Sequence, residues 1–272
     1  IVTPTELLEG GFELDGDPEG PIPPVLDRLA QKHLLVHDGE RRWSMLETTR
    51  AFAFDALVSS GERDAAMSHL VDIYEAMTLR HWEEGSTGRQ VAWRRRLVEE
   101  LENIRALLHW LSDRGDHAHI VRLVGRMVFF WQNRGLFREA VAWLQPAIAQ
   151  LPDSSADRAL LNFAIAYHLR STGEVLLAAQ YLEQSLLLLR EWPDEKIEVL
   201  AREQLADQLQ DEGRLDEADA QARRALAVGR ASGQPTLEAM GLQVLGVNVA
   251  LAGASTDGLS ARPEFSRLFE AR

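Results

Sequence analysis

His117 and His119 alternate beside Asp113 and Asp116, the nearest this sequence comes to a metal-ligand pattern. A bound divalent ion needs three or four well-spaced donors, and no third ligand follows at a suitable distance. The grouping is read instead as a helix-end cluster, with His near a C-terminal turn whose dipole suits its charge. Arg94, Arg95 and Arg96 beside Trp93 form the sharpest basic cluster, of a type that grips phosphate. Glu99 and Glu100 follow Arg95 and Arg96 by four residues, however, so helical ion pairs account for it. There is no Gly-x-Ser-x-Gly elbow and no readable Ser, His and Asp arrangement. With no cysteine in the chain, disulfides, thiolate metal sites and cysteine nucleophiles are excluded. The sequence predicts a chain that binds rather than catalyses, with no catalytic, cofactor-binding or metal-binding residue of its own.

The elements that would position a binding surface announce themselves by spacing. Gly135, Gly173 and Gly213 stand 38 and 40 residues apart, Gly253 follows after a further 40, and each marks the end of a helical pattern. An alanine stands five residues beyond each of the first three, Ala140, Ala178 and Ala218, small enough for paired helices to lie close. This is tetratricopeptide-like spacing, stretched from the usual period of about 34 residues. The expected pairs are 118–133 with 137–150, 156–171 with 175–191, and 196–211 with 215–231, and a helix over 236–251 opens a fourth. In such arrays the first helix of each pair faces the concave side. Aligning on the glycines places Arg122, Arg126, Phe129 and Asn133 there, then Phe163, Tyr167 and Arg170, then Glu203, Gln204 and Asp207, and finally Gln243 and Val247. An aromatic and arginine floor giving way to acids and amides suits a ligand with both a carboxylate and a cationic or polar end, such as a short peptide. Trp110, Trp131 and Trp143 fall on apolar helix faces and are assigned to the core.

Ahead of the array, Val25, Leu26, Leu29 and Ala30 read as a helix, and Leu34 to Val36 and Trp43 to Met45 as strands about an Asp38–Gly39 turn. A helix over 48–57 follows, giving the helix, hairpin, helix layout of a winged helix. Two longer helical patterns, 64–82 and 91–111, flank a loop containing Gly85 and Gly88. The expected domains are thus a winged-helix-like unit over 1–62 with an incomplete lead-in, an irregular linking helical hairpin over 63–116, and the repeat array over 117–272. After the fourth opening helix, Gly258 and Pro263 break the pattern, so the array either stops mid-repeat or ends in an atypical cap. The fold class is mainly α, an α-α superhelix behind a small winged-helix domain.

Charge narrows the partners. The 42 acids outnumber the 29 bases, for a net charge of −13, which repels a phosphate backbone over most of the surface. Residues 1–60 hold eleven acids against five bases, a net of −6, so the hairpin domain is expected to pack against protein rather than enter a DNA groove. No apolar run approaches the 18 or so residues of a membrane span, no secretory signal is visible, and a cytoplasmic location is expected. The absence of an initiator methionine suggests a piece of something longer. Only Lys32 and Lys196 are lysines, which fits a GC-rich bacterial genome.

The stretch Leu26-Asp27-Arg28-Leu29-Ala30-Gln31-Lys32-His33-Leu34-Leu35-Val36, followed by Trp43-Ser44-Met45-Leu46-Glu47-Thr48-Thr49-Arg50 and then Ala51, Ala53 and Leu57, resembles the winged helix after the nucleotide-binding core of bacterial STAND-class ATPases. Large transcriptional regulators of the AfsR and MalT kinds are among these. Leu101-Glu102-Asn103-Ile104-Arg105-Ala106-Leu107-Leu108, with Trp110, Phe130-Trp131, Gly135, Glu139-Ala140 and Trp143-Leu144, resembles the helical region that follows. The likeness spans about residues 25–150. It departs from the family in lacking the Gly-x-x-x-x-Gly-Lys-Ser/Thr phosphate loop, since neither lysine follows a glycine. The resemblance therefore implies the part lying after the motor, with ATP and magnesium belonging to the parent protein alone. It implies a non-catalytic region for sensing, signal transduction and protein-protein interaction. The array would bind a peptide, small inducer or partner protein, and the winged helix would pack on the parent's own ATPase domain. The alternatives are a constitutive tetratricopeptide-type scaffold and, second, DNA binding through the winged helix. Self-association through the open end of the array is also expected.

Overall fold

A computed structural model describes residues 24–37, 43–84, 90–153 and 155–255. The expectations for the lead-in 1–23, the Asp38–Gly39 turn, the 85–89 loop and the segment with Gly258 and Pro263 lie outside the described residues. The chain divides into two compact units, Ile1–Met77 and Thr78–Arg272.

In the first unit, α1 (Pro24–Gln31) starts on a proline, whose missing N–H is no loss at a first helical position. It ends where His33 adopts a left-handed φ of 56°, and the N–H groups of His33 and Leu34 return to the carbonyls of Ala30 and Leu29. Strands β1 (Val36–His37) and β2 (Trp43–Ser44) pair antiparallel, with Val36 opposite Ser44 and His37 opposite Trp43. Helix α2 (Glu47–Ser59) follows, so the order is the helix, hairpin, helix read from the sequence. Leu46 and Phe52 are exposed here, at 61% and 76%. Helix α3 (Arg63–Glu84) begins in this unit and ends in the second.

The second unit is an array of helical hairpins. After α4 (Gln90–Asp113) come α5 (His117–Arg126), α6 (Val128–Asn133), α7 (Phe137–Leu144), α8 (Ala147–Gln150), α9 (Ala156–Thr172), α10 (Val175–Leu188), α11 (Glu195–Asp211), α12 (Leu215–Ala231) and α13 (Pro235–Ser255). Gly135, Gly173 and Gly213 take left-handed φ values of 69°, 86° and 75°, which an L side chain resists. At Gly173 the N–H groups of Gly173 and Glu174 cap the carbonyls of Arg170 and Leu169, ending α9 in a tight turn. Ala140, Ala178 and Ala218 have no exposed surface, as expected of the closest points of helix approach. Each hairpin packs on itself, α9 on α10 and α11 on α12, while α5, α9, α11 and α13 touch in succession along one side. That succession of first helices is the tetratricopeptide-like arrangement.

Three features depart from the sequence reading. The helix expected over 118–133 is interrupted at Met127 (φ −96°, ψ 15°), where Gly125 lies so near Leu160 that an added Cβ would stand 2.9 Å from its Cγ. The helix expected over 137–150 breaks at Pro146, which has no N–H for the helical ladder. Gly253 lies inside α13, and the turn between α12 and α13 is made by Gly233 at φ 67°. Trp110 and Trp131 are core residues, 7% and 0% exposed, and Trp143 is half-buried.

Candidate functional site

A cleft of about 400 Å³ opens in the second unit. Phe129, Phe130 and Asn133 line it from α6, Leu200 and Glu203 from α11, Thr236, Ala239, Met240 and Gln243 from α13, His81 from α3 and Arg94 from α4. Every lining residue thus comes from the first helix of a pair or from the two helices before the array. Side-chain caps fix the starts of α11, which lines the cleft, and of α9, which packs beside it. Asp194 accepts from the Ile197 N–H at 2.8 Å ahead of α11, and Ser155 accepts from the Arg158 N–H at 3.1 Å ahead of α9.

Behind Phe129 lies an aromatic cluster. Trp82 stacks on Phe129 with centroids 6.2 Å apart and planes 13° from parallel, and meets Phe163 edge-on at 6.3 Å. Tyr167 stands perpendicular to Phe129 at 5.4 Å and lies 5.9 Å from Phe163. Edge and offset contacts of this kind suit ring quadrupoles and fix the rings as a unit. The Lys196 ammonium sits 4.6 Å from the Trp82 ring centre and donates to the Trp82 carbonyl, closing the far side of the cluster.

Burial governs the electrostatics. It pushes the Glu203 carboxyl up to about 7, helped by repulsion from Asp207 and opposed by Arg170. Burial likewise raises Asp207 and lifts the Tyr167 phenol to about 12, the latter aided by Glu203. It lowers Lys196 to about 8 against the pull of Asp194 and Glu83, and lowers His81 to about 4 with Lys196 adding to the effect. His81 is 4% exposed, and its Nδ1 has no hydrogen-bond partner among the described residues.

Of the residues singled out from the sequence, Phe129, Asn133, Glu203 and Gln243 meet in this cleft. Phe163 is fully buried and supports the floor from beneath, together with half-buried Tyr167. Arg170, Gln204 and Asp207 form a tie between α9 and α11. The Arg170 guanidinium donates to the Gln204 carbonyl at 2.9 Å and its Oε1 at 3.2 Å, with Asp207 and Asp211 each 3.6 Å away. Arg122 is drawn off to Asp157 at 2.8 Å, Arg126 is half-buried outside the lining, and Val247 is exposed outside it. The sequence does not mark His81, Trp82 or Lys196 as site residues, because α3 carries no repeat glycine and Lys196 lies in the first turn of its helix, and it assigns Arg94 to a cluster explained by ion pairs. The rarity of Lys196 as one of two lysines is the one signal the sequence offered.

The two other chemical candidates resolve locally except for Arg94, which lines the cleft. Asp116 is the N-cap of α5, accepting from the His119 N–H at 3.4 Å and holding its ring nitrogen at 2.8 Å, so the histidines stand at a helix start rather than a C-terminal turn. No group of metal-ligating side chains occurs among the described residues. Arg95 pairs with Glu99 at 3.2 Å, and Arg96 lies over the Trp93 ring at 5.7 Å. No helix among the described residues is long and apolar enough to cross a membrane.

The chain is 29% identical over 190 residues to the provisionally named HTH-type transcriptional regulators Rv0890c of Mycobacterium tuberculosis and Mb0914c of Mycobacterium bovis, the alignment covering 62% of this chain. It spans about a fifth of their length, 21% in each case. No family model matches the chain. Among solved structures it is similar to a crystal structure of nearly identical TPR-like repeats provisionally assigned to a kinesin light chain of Podosopora anserina. That likeness has a TM-score of 0.49 and 18% identity, covering 74% of this chain and 92% of the other.

Proposed function

We propose that this chain is the non-catalytic sensor and protein-interaction region of a larger bacterial transcriptional regulator of STAND type. The observation that carries the reading is the cleft, whose lining is gathered from α3, α4, α6, α11 and α13. A ligand seated there touches helices more than a hundred residues apart in sequence, so its binding energy couples directly to how the array is wound. The relatives named as regulators are about five times longer than the matched span, which leaves room for an ATPase and an output domain outside it. The resemblance of residues 25–150 to the region after a STAND motor supports the same placement. In this mechanism ligand binding changes how the chain packs against the ATPase domain, and ATP and magnesium act only in that domain.

The test is the affinity of the chain for the ATP-binding segment of its parent, measured with and without a low-molecular-weight metabolite extract. Coupling predicts a change of about 5- to 150-fold. A chain that never contacts that segment sinks the proposal. An affinity indifferent to the extract supports a constitutive scaffold, a reading that the exposed leucines of α10, Leu176 at 77% and Leu187 at 59%, also favour.

A further inference from the structure

The cleft contains two side chains of opposite charge that make no hydrogen bond or ion pair among the described residues. Glu203 has no hydrogen bond or ion pair among the described residues, although Arg170 lies close enough to influence it. The Arg170 guanidinium is committed to Gln204, with Asp207 and Asp211 also drawing on it. Arg94 is likewise unpaired among the described residues, while its neighbours Arg95 and Arg96 are engaged by Glu99 and the Trp93 ring. A carboxylate half-buried among Phe129, Phe130 and Met240 is costly when no hydrogen bond or ion pair among the described residues answers it and Arg170 acts on it only from a distance. An arriving ammonium would offset that cost and gain the face of an aromatic ring as well. Arg94 offers a planar fork suited to a carboxylate, and the amides of Asn133 and Gln243 can bond a peptide group between the two charges. The volume of about 400 Å³ falls at the small end of the roughly 300–1,000 Å³ typical of small-molecule sites.

We propose that this cleft binds a small zwitterion, a free α-amino acid or a di- or tripeptide with free termini, its ammonium at Glu203 and its carboxylate at Arg94. The proposal rests on the reading of the cleft as the sensor's ligand site. It specifies ligand chemistry that the fold alone does not.

The experiment is calorimetric titration of the whole chain with the twenty free amino acids and with pooled alanyl di- and tripeptides, each also in N-acetylated and C-amidated form. Free-terminus ligands are expected to bind, and capping either end to weaken them about tenfold or more. Glu203→Gln should weaken the free ligand to a similar degree yet leave an N-acetylated one unaffected. Arg94→Gln should do the same for the C-amidated one. A ligand that binds equally well with both ends capped overturns the proposal, and this arm uses the unaltered chain, so it does not depend on the variants folding. Amino acids binding while peptides do not, or the reverse, identifies the source within the proposed class. If no pool member binds but the metabolite extract raises the thermal midpoint, the zwitterion is wrong and the sensor reading survives. If neither does, both fall.

Discussion

His168 lies wholly inside α9 with neither ring nitrogen hydrogen-bonded among the described residues, and burial alone lowers its pKa to about 4. The unfolded chain takes that proton near pH 6.5, whereas the folded chain refuses it until about 4. Stability is therefore complete above pH 6.5 and drains away as pH falls toward 4, by roughly 3 kcal/mol for such a histidine. His168→Leu should abolish this share of acid sensitivity and stabilise the neutral protein by about 1–3 kcal/mol, since two unsatisfied polar atoms leave the core. Urea midpoints of both proteins between pH 7.5 and 4.5 measure it, and parallel curves would refute the buried neutral ring. Glu203 carries the opposite sign. Its folded pKa of about 7 exceeds the ordinary carboxylate value, so its share of stability is present at low pH and is lost as pH rises from 4.5 through 7. Arg170, Asp207 and Tyr167 are the charged and titratable groups acting on it or feeling it. Glu203→Gln should therefore stabilise the chain at pH 8 by up to about 3 kcal/mol and gain nothing below pH 4.5. A gain that did not change with pH would show that the carboxylate is not the source of the cost.

At the scale of elements, the junction between α12 and α13 is closed by backbone rather than by side chains. A Cβ at Gly241 of α13 would stand 2.5 Å from the Leu226 Cα of α12, and one at Gly229 of α12 would stand 2.5 Å from the Leu237 carbonyl oxygen of α13. Neither obstacle is a flexible side chain that could swing aside, so Gly241→Ala must prise the helices apart. We expect a loss of 2 kcal/mol or more, within the range of about 1–3 typical of overpacking, together with weaker ligand binding, because α13 also supplies Met240 and Gln243 to the cleft. Gly173→Ala meets open space and bears only the left-handed penalty of about 1–2 kcal/mol. Chemical denaturation of the two variants side by side checks the ranking. The same contrast explains what was legible in the sequence. Gly173 and Gly213 declared their turns because few residues accept that backbone, and Ala178 and Ala218 marked helix crossings because size alone decides there. The register they set carried Phe129, Glu203 and Gln243 to one cleft. The break at Met127 was not legible, since it arises beside a contact between Gly125 and Leu160, 35 residues further along the chain. His81, and the separation of Arg94 from its ion-paired neighbours, were hidden for a related reason: both residues belong to helices outside the repeat, and only folding brings them to the groove.

The whole molecule is acidic, and that decides how the hairpin unit can act. In the first 60 residues, five bases face eleven acids, and in α1 the side chain of Arg28 is the basic group exposed near its end, followed by Lys32. Nonspecific DNA affinity comes largely from the counterions that Lys and Arg displace from phosphate, so a protein making only one or two such contacts gains little and shows a shallow salt slope. A net charge of −13 adds long-range repulsion that low salt strengthens. We therefore expect the chain to leave the fluorescence anisotropy of a labelled 30-base-pair duplex unchanged at micromolar concentrations, at 50 mM salt as at 200 mM. Binding that is tight at 50 mM and collapses at 200 mM would mean that an unseen basic face outweighs the net charge, and DNA contact through the hairpin unit would then replace the packing role proposed for it. Binding restricted to one sequence and insensitive to salt would point the same way by a different route, through base edges rather than phosphates. With neither, the hairpin unit is left to meet protein, and its exposed Leu46 and Phe52 are the surface on which that contact should be sought.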